Sequence, residues 1–380
     1  AAEMPMPADR ATPGPRREAS QFDLMRQRRF APFFWTQFAG AANDNVFKNA
    51  LVIFVAFQAA GMTSMDPNTL VNLAGAVFIA PFMLLSATGG QLADKLEKSR
   101  LIRAIKLFEI AIMALGFAGF WMRDLVTLFA ALALMGVHST LFGPVKYAIL
   151  PQHLKPEELV GGNGLVEMGT FVAILAGTIA GGLVVAAGPH GPLWAGSLAI
   201  AIAVVGWLAS RRIPETPAVD PALAFRWNPF TETWRNLVFA SGNRVVWLSM
   251  MGISWFWFYG AVFLAQFAGF ARDFLGGNET VVTALLALFS VGVGAGSLLC
   301  ERMSRRRVEL GLVPFGSIGL TVFAIDLWFA SRGLSASSVA GLGAFLAKPA
   351  HWRVAADLVL IGAFGGFYIV PLYALIQERS

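Results

Sequence analysis

Charged residues are scarce in this chain. Asp, Glu, Lys and Arg make up 14% of it, against about 25% in a typical soluble domain. With 56% of residues hydrophobic, so large an apolar surface needs a solvent other than water, which excludes a soluble globular domain. Cysteine is nearly absent. Cys300 stands alone, so no intrachain disulfide framework exists, and a small packing residue accounts for it. His138, His153, His190 and His351 are scattered without metal-ligand spacing, and no Walker motif or phosphate-cradling loop occurs. No catalytic constellation, metal site or cofactor is expected, and neither is ATP-driven transport by this chain alone. The first thirty residues lack the apolar core of a signal peptide. The net charge of +6 does not point to nucleic acid, because the basic residues sit in short segments between apolar runs, as membrane topology demands.

What the chain has is apolar runs long enough to cross a bilayer. Ten are read, at 33–60, 70–92, 101–121, 125–150, 159–187, 191–209, 245–270, 279–300, 311–331 and 354–376. Residues 1–30 read as a mobile basic tail, 31–209 as a six-helix bundle, 210–244 as a Pro-containing linker, and 245–380 as a second bundle of four helices. In the linker Phe230, Trp234, Leu237 and Val238 recur at helical spacing, which predicts an amphipathic helix lying on the membrane surface. Placing the N-terminus inside puts 22 Lys and Arg on that side. The other side holds five, Arg123, Arg272, Arg332, Lys348 and Arg353. This asymmetry predicts a cytoplasmic N-terminus, linker and 301–310 loop.

An internal repeat is visible. Pro144, Tyr147 and Gln152 near the end of the fourth run parallel Pro371, Tyr373 and Gln377 near the end of the tenth. Gly90 to Asp94, followed by basic residues, parallels Gly296 to Glu301, likewise followed by basic residues. The pattern indicates two six-helix repeats. The second carries four helices, so the natural chain is expected to continue past Ser380, and the non-Met first residue suggests trimming there as well.

Two six-helix halves, a central linker and the turn Gly90, Leu92, Ala93, Asp94, Lys95 resemble the major facilitator superfamily, with Glu97 where that motif usually has Gly. The resemblance implies an all-α membrane fold of two six-helix bundles, the second incomplete here. It also implies a conformational switch at Gly90, Asp94, Lys95 and Arg100, in which Asp94 pairs with a helix end or nearby basic residues. Within the superfamily, the helix 1 segment from Phe34 to Leu51 and the helix 4 segment from Gly143 to Leu150 resemble the bacterial lysophospholipid transporters. That family moves lysophospholipids across the inner membrane for reacylation, and some relatives carry acyltransferase and acyl-carrier-protein ligase domains. The partners implied are lysophospholipid, membrane lipids and an acyltransferase domain or protein.

Charge inside a bilayer costs on the order of 3 kcal/mol per residue, so intramembrane polar residues are the candidates. Asp44 lies about 16 Å into helix 1 from Phe33, near the midplane, and Lys48 is four residues on, in position to pair. Asn43, Asn45 and Asn49 join them. Two readings fit this cluster: a polar network gluing helix 1 to its neighbours, or a headgroup or gating site. Lys146, near the end of helix 4, either snorkels to the interface or meets a substrate phosphate or Asp44. Gln37, Tyr147, Glu167 and, from the second half, Gln266 complete the candidate substrate site. Glu109 reads as a local pair with Lys106, and Asp326 as structural. Gly177, Gly181, Gly292, Gly294 and Gly296 permit close helix contact.

Three functions remain open at the sequence level. A lipid transporter needs a polar site and an apolar path. A proton-coupled facilitator or exporter of a small solute or drug would use Asp44 or Glu167 as proton carrier. A membrane anchor for an acyltransferase would need no cavity.

Overall fold

The structure, a computed structural model, describes residues 20–58, 62–305, 307–332, 334 and 341–379. Among the described residues ten helices are long enough to cross a bilayer, the shortest having 20 residues, or about 30 Å of rise. The first six are α1 (Ala31–Gln58), α2 (Pro67–Lys95), α3 (Lys98–Met122), α4 (Leu125–Ala148), α6 (Leu159–Val185) and α7 (Gly191–Ser210), with the single turn α5 (Leu150–His153) after α4. The linker carries α8 (Pro229–Ser241). The last four are α9 (Arg244–Asp273), α10 (Glu279–Met303), α11 (Leu312–Ser331) and α13 (Pro349–Arg379), with the short α12 (Leu342–Ala347) between the last two.

Local chemistry sets the boundaries. Asp66, Glu97, Asp124, Asn228, Asn243 and Asn278 each accept backbone N–H bonds as N-caps, satisfying donors that helix starts leave open. Arg123 takes a left-handed conformation, φ 52°, and reverses the chain between α3 and α4. Eight of the helices are apolar enough to insert on composition alone. The other two spanning helices, α1 and α3, carry the buried polar residues described below.

In the first bundle α1 packs on α6 and α7, α2 on α4, and α3 on α7. In the second, α13 packs on α10, α11 and α9. The glycines sit at the closest crossings: Gly177 and Gly181 face the backbone of Ala42 and Val46, and Gly292 and Gly296 that of Val359 and Ala363. A Cβ at Gly177 would lie 2.2 Å from the Ala42 carbonyl oxygen, so no other residue permits that approach. The bundles meet where α6 packs on α10 and α13.

One end of the molecule carries the linker, the α2–α3 turn, α8 and the start of α1, and is called the linker end below. There α8 leaves Phe230, Trp234 and Val238 exposed along its apolar side, as a surface-lying helix should. Residues 20–30 depart from the expected mobile tail. Ser20 caps a 3-10 turn over Gln21–Arg26, Phe30 is fully buried, Arg29 pairs with Glu158 at 2.7 Å, and the Gln21 amide donates to the Leu298 carbonyl. Aromatic burial and a paired guanidinium hold a segment that composition alone marks as loose. The remainder of that tail, 1–19, lies outside the described residues.

Candidate functional site

The intramembrane polar residues fall into two groups. The first lies at mid-depth within the first bundle. Glu109 on α3 is its hub: it ion-pairs with Lys106 one turn earlier, lies 3.3 Å from His138 Nε2 on α4, and accepts a 2.7 Å bond from the Asn43 amide on α1. Asp44 accepts from the Ser139 hydroxyl at 2.6 Å. The Lys106–Glu109 pair therefore exists, but as the centre of a three-helix network rather than a local contact. Lys48 and Asp44 make no ion pair within 4 Å, though their charges attract. The Lys48 ammonium sits 5.1 Å above the Phe78 ring in a cation–π contact. Asn45 bonds its own helix at the Ala41 carbonyl, and Asn49 reaches the Thr178 carbonyl on α6. The helix 1 polar run is thus tied to α3, α4 and α6, although Asn43 Oδ1, Asp44 Oδ1 and His138 Nδ1 are buried without a hydrogen-bond partner.

The second group lies nearer the linker end, where the bundles meet. Lys146 does not snorkel. It is 9% exposed and donates to Thr170 on α6 at 2.9 Å. Thr170 lies against Gln37 of α1, Oγ1 to Oε1 3.1 Å. The Tyr147 hydroxyl donates to Glu167 at 2.8 Å. From the other bundle, Tyr373 stacks on Tyr147 with ring centroids 4.1 Å apart and 9° between planes, and Trp257 donates to the Tyr373 hydroxyl at 2.8 Å. Below this pair, Asn163 on α6 and Gln377 on α13 exchange amide bonds of 2.6 and 3.2 Å, and Gln377 also donates to the Tyr147 carbonyl.

This second group is under-satisfied. The Gln37 amide nitrogen and one oxygen of Glu167 are buried without a hydrogen-bond partner, and Lys146 has one hydrogen bond for three donors. Buried polar atoms are normally paired, and exceptions mark sites that a ligand or water completes. A cation and an amide donor beside a carboxylate match a phosphate-bearing headgroup with a hydroxyl or amine. The stacked Tyr147 and Tyr373 rings lie beside this group.

Among the sequence candidates, Gln37, Lys146, Tyr147 and Glu167 come together, while Asn43, Asp44, Asn45 and Lys48 do not join them. Among the described residues no hydrogen bond or ion pair links Asp44 with Lys146. Gln266 is exposed on α9 and is replaced as second-bundle partner by Tyr373, Trp257 and Gln377. Thr170, Asn163, Trp257, His138 and Ser139 were not singled out in the sequence. Tyr373 and Gln377 carried a signal: they stand in the repeat beside Pro371 as Tyr147 and Gln152 follow Pro144, and the two Tyr rings stack on each other. Asp326 pairs with Arg353.

In the α2–α3 turn the charge of Asp94 is attracted by Lys98 at the start of α3. Asp94 is exposed and its side chain makes no ion pair among the described residues; its backbone carbonyl accepts from Val219 and Asp220 at 3.0 Å each. Lys95 donates to the Leu223 carbonyl, Gln91 exchanges bonds with the Arg226 backbone, and Arg100 lies 3.6 Å from Glu215. Gly90 has open space around it. The anchoring carboxylate is Glu97. It caps α3 through Ser99 and Arg100 and accepts the Thr216 N–H at 2.6 Å. Burial works against its charge, yet those three backbone donors hold its pKa below the usual glutamate value. The turn thus straps the linker to the first bundle.

A family model described as Major Facilitator Superfamily matches residues 33–380. The lysophospholipid transporter LplT of Cronobacter sakazakii is 31% identical over 325 residues, covering 80% of this chain and 70% of that one. The Serratia proteamaculans protein of the same name is 28% identical over 361 residues, 90% of this chain and 78% of that one. Among solved structures, a bacterial homologue of the iron transporter ferroportin in an outward-facing state aligns with TM-score 0.61 at 15% identity, over 92% of this chain and 84% of that one. The E. coli fucose:proton symporter aligns with TM-score 0.61 at 13% identity, over 92% and 88%.

Proposed function

The chain belongs to the Major Facilitator Superfamily and, within it, to the lysophospholipid transporter family, and on that premise we propose that it moves lysophospholipids across the bacterial inner membrane. It is a multi-pass membrane transporter. The finer reading is movement toward the cytoplasmic leaflet, for reacylation, by alternating access. The observation that carries it is the under-satisfied group Lys146, Gln37 and Glu167 at the junction of the two bundles. Lys146 and the Gln37 amide would hold the lipid phosphate, and Glu167 a headgroup hydroxyl or amine.

The excess of Lys and Arg at the linker end supports placing that end in the cytoplasm. On that orientation the Asn163–Gln377 and Tyr147–Tyr373 contacts form a cytoplasmic gate, closed here. A lipid headgroup entering from the opposite side would compete for Tyr147 and Glu167, weaken the gate and favour the alternate state; a ligand shifts an equilibrium only through such differential contacts. The mid-depth network keeps a second reading open, a proton-coupled carrier of a small solute, because Asp44 and His138 lie there with ring and carboxylate atoms lacking bonds.

The test is transbilayer movement of fluorescent lysophospholipid in proteoliposomes, with a small-solute panel beside it. Lys146→Ala is expected to cut lipid movement at least tenfold, about the 1.4 kcal/mol that one charge-assisted bond contributes, and Lys146→Arg less. Lipid movement unaffected by Lys146→Ala would refute the site. Solute uptake without lipid movement would select the second reading.

A further inference from the structure

Between α1 and α7, on the outer face of the first bundle, runs an apolar groove of about 890 Å³. Trp35 and Phe38 form one wall, Ile202, Val205 and Leu208 the other, and the small Ala39 and Ala42 leave its floor deep. It ends at Arg211 and Arg212, at the linker end. From Ile202 to Arg212 is about 15 Å at 1.5 Å per residue, which equals one leaflet of a hydrocarbon core about 30 Å thick. The groove is therefore one acyl chain long, with both cations at headgroup depth.

Arg211 and Arg212 are exposed. Among the described residues neither is paired with an acid. Arg211 lies 5.2 Å over the Trp207 ring, which holds its guanidinium beside the groove instead of leaving it to swing into water. Arg is also the side chain suited to phosphate. The groove lies apart from the junction group: Gln37 of α1 meets Thr170 of α6, whereas Trp35 and Phe38 border the face shared with α7.

We propose that this groove is a binding site for an anionic diacyl phospholipid of the linker-end leaflet, its acyl chain between α1 and α7 and its phosphate on Arg211 and Arg212, separate from the transport path. Apolar length, headgroup depth and paired positive charge together specify that occupant. A bare lipid-facing helix surface would supply the first alone. The inference rests on the chain's placement in a bilayer and not on which substrate it moves.

Val205→Cys, exposed in the groove wall, in a Cys300→Ser background, takes a fluorescent label in full-length protein in phosphatidylcholine nanodiscs. Quenching by doxyl-labelled phosphatidylglycerol is compared with quenching by doxyl-labelled phosphatidylcholine. The anionic lipid is expected to quench preferentially, by on the order of tenfold in apparent affinity, because two cations stand at its phosphate. Unlabelled phosphatidylglycerol should relieve the quench. In Arg211→Gln with Arg212→Gln the preference should fall to about one. A label at Met251→Cys, exposed on α9, should show no preference. Equal quenching by both lipids in the parent would overturn the proposal, as would a preference that survives both substitutions or appears equally at Met251. Stronger quenching by doxyl-labelled lysophosphatidylglycerol than by the diacyl lipid would overturn it too, making the groove part of the transport path.

Discussion

A buried charge is held by its neighbours or not at all. Glu109 is fully buried, and its partners Lys106 and His138 are nearly so; the Lys106 ammonium also lies within 3.3 Å of the space beside Gly40. Removing one partner strands the other in a low-dielectric interior, which costs about 3–5 kcal/mol, whereas replacing both with apolar groups is far milder. Glu109→Ala is therefore expected to lower unfolding stability in detergent by that amount. Glu109→Leu with Lys106→Met should recover most of it, and a double variant as unstable as the single one would show that the network is not an ion pair in energetic terms. His153 works at the surface. Its Nδ1 donates to the Arg29 carbonyl and its Nε2 faces the Thr216 hydroxyl at 2.6 Å, an arrangement suited to the neutral ring. Burial lowers its pKa below the ordinary histidine value. A base with a depressed folded pKa contributes stability that is complete above the unfolded value and is lost as pH falls through the folded one. Proteolysis within the linker should rise as pH drops from 7 toward 5, and His153→Gln should flatten that dependence.

At the scale of elements, the α2–α3 turn ties the linker to the first bundle through Glu97, beside the motif positions. The linker backbone lies along this turn through Asp94, Lys98 and Gln91, and Glu97 ties the start of α3 to Thr216. Loss of an N-cap costs about 1 kcal/mol. Glu97→Ala should loosen the linker, seen as faster hydrogen exchange at Thr216 and Val219, while Asp94→Ala should leave that exchange nearly unchanged because its backbone carbonyl remains. Equal effects of the two substitutions would return the anchoring role to Asp94. The glycine crossings belong to the same scale. Gly177→Val places a side chain where the Ala42 carbonyl stands and should destabilise the α1–α6 pair by more than 1 kcal/mol.

For the whole molecule, the two bundles are joined at the linker end by α6, α10 and α13, with Asn163–Gln377 and Tyr147–Tyr373 bridging directly. If transport requires this end to part, a short bifunctional thiol reagent across Asn163→Cys and Gln377→Cys, in a Cys300→Ser background, should stop lipid movement in proteoliposomes. A reducible linker should restore it on reduction. Continued movement in the fully cross-linked protein would show that these contacts are not a gate. The N-terminal turn adds to the same closure, because Gln21 reaches Leu298 on the second bundle, so deletion through Ser20 and Gln21 should raise accessibility of Tyr147 to aqueous labelling.

Hydropathy determined the class of this protein and the approximate limits of most of its spanning helices, because eight of them are apolar over a bilayer's thickness whatever they pack against, whereas the polar residues of α1 and α3 depend on their packing partners. Helical spacing likewise marked α8. The repeat around Pro144 and Pro371 held the Tyr147–Tyr373 contact in latent form. The partners of polar side chains were decided only by tertiary structure, since buried hydrogen bonding depends on which helix faces which. Asp44 and Lys48 share a face of α1, yet Ser139 on α4 captures one and the Phe78 ring on α2 takes the other. Lys146 lies close enough to a helix end to reach water, but Thr170 on α6 keeps it inside. Ser20 to Phe30 looks like a loose tail in composition, and it is ordered because Glu158 and Leu298, 129 and 277 positions away from the residues they bind, supply its bonds. Spacing along the chain carries information about neighbours within a helix, and these contacts lie between helices.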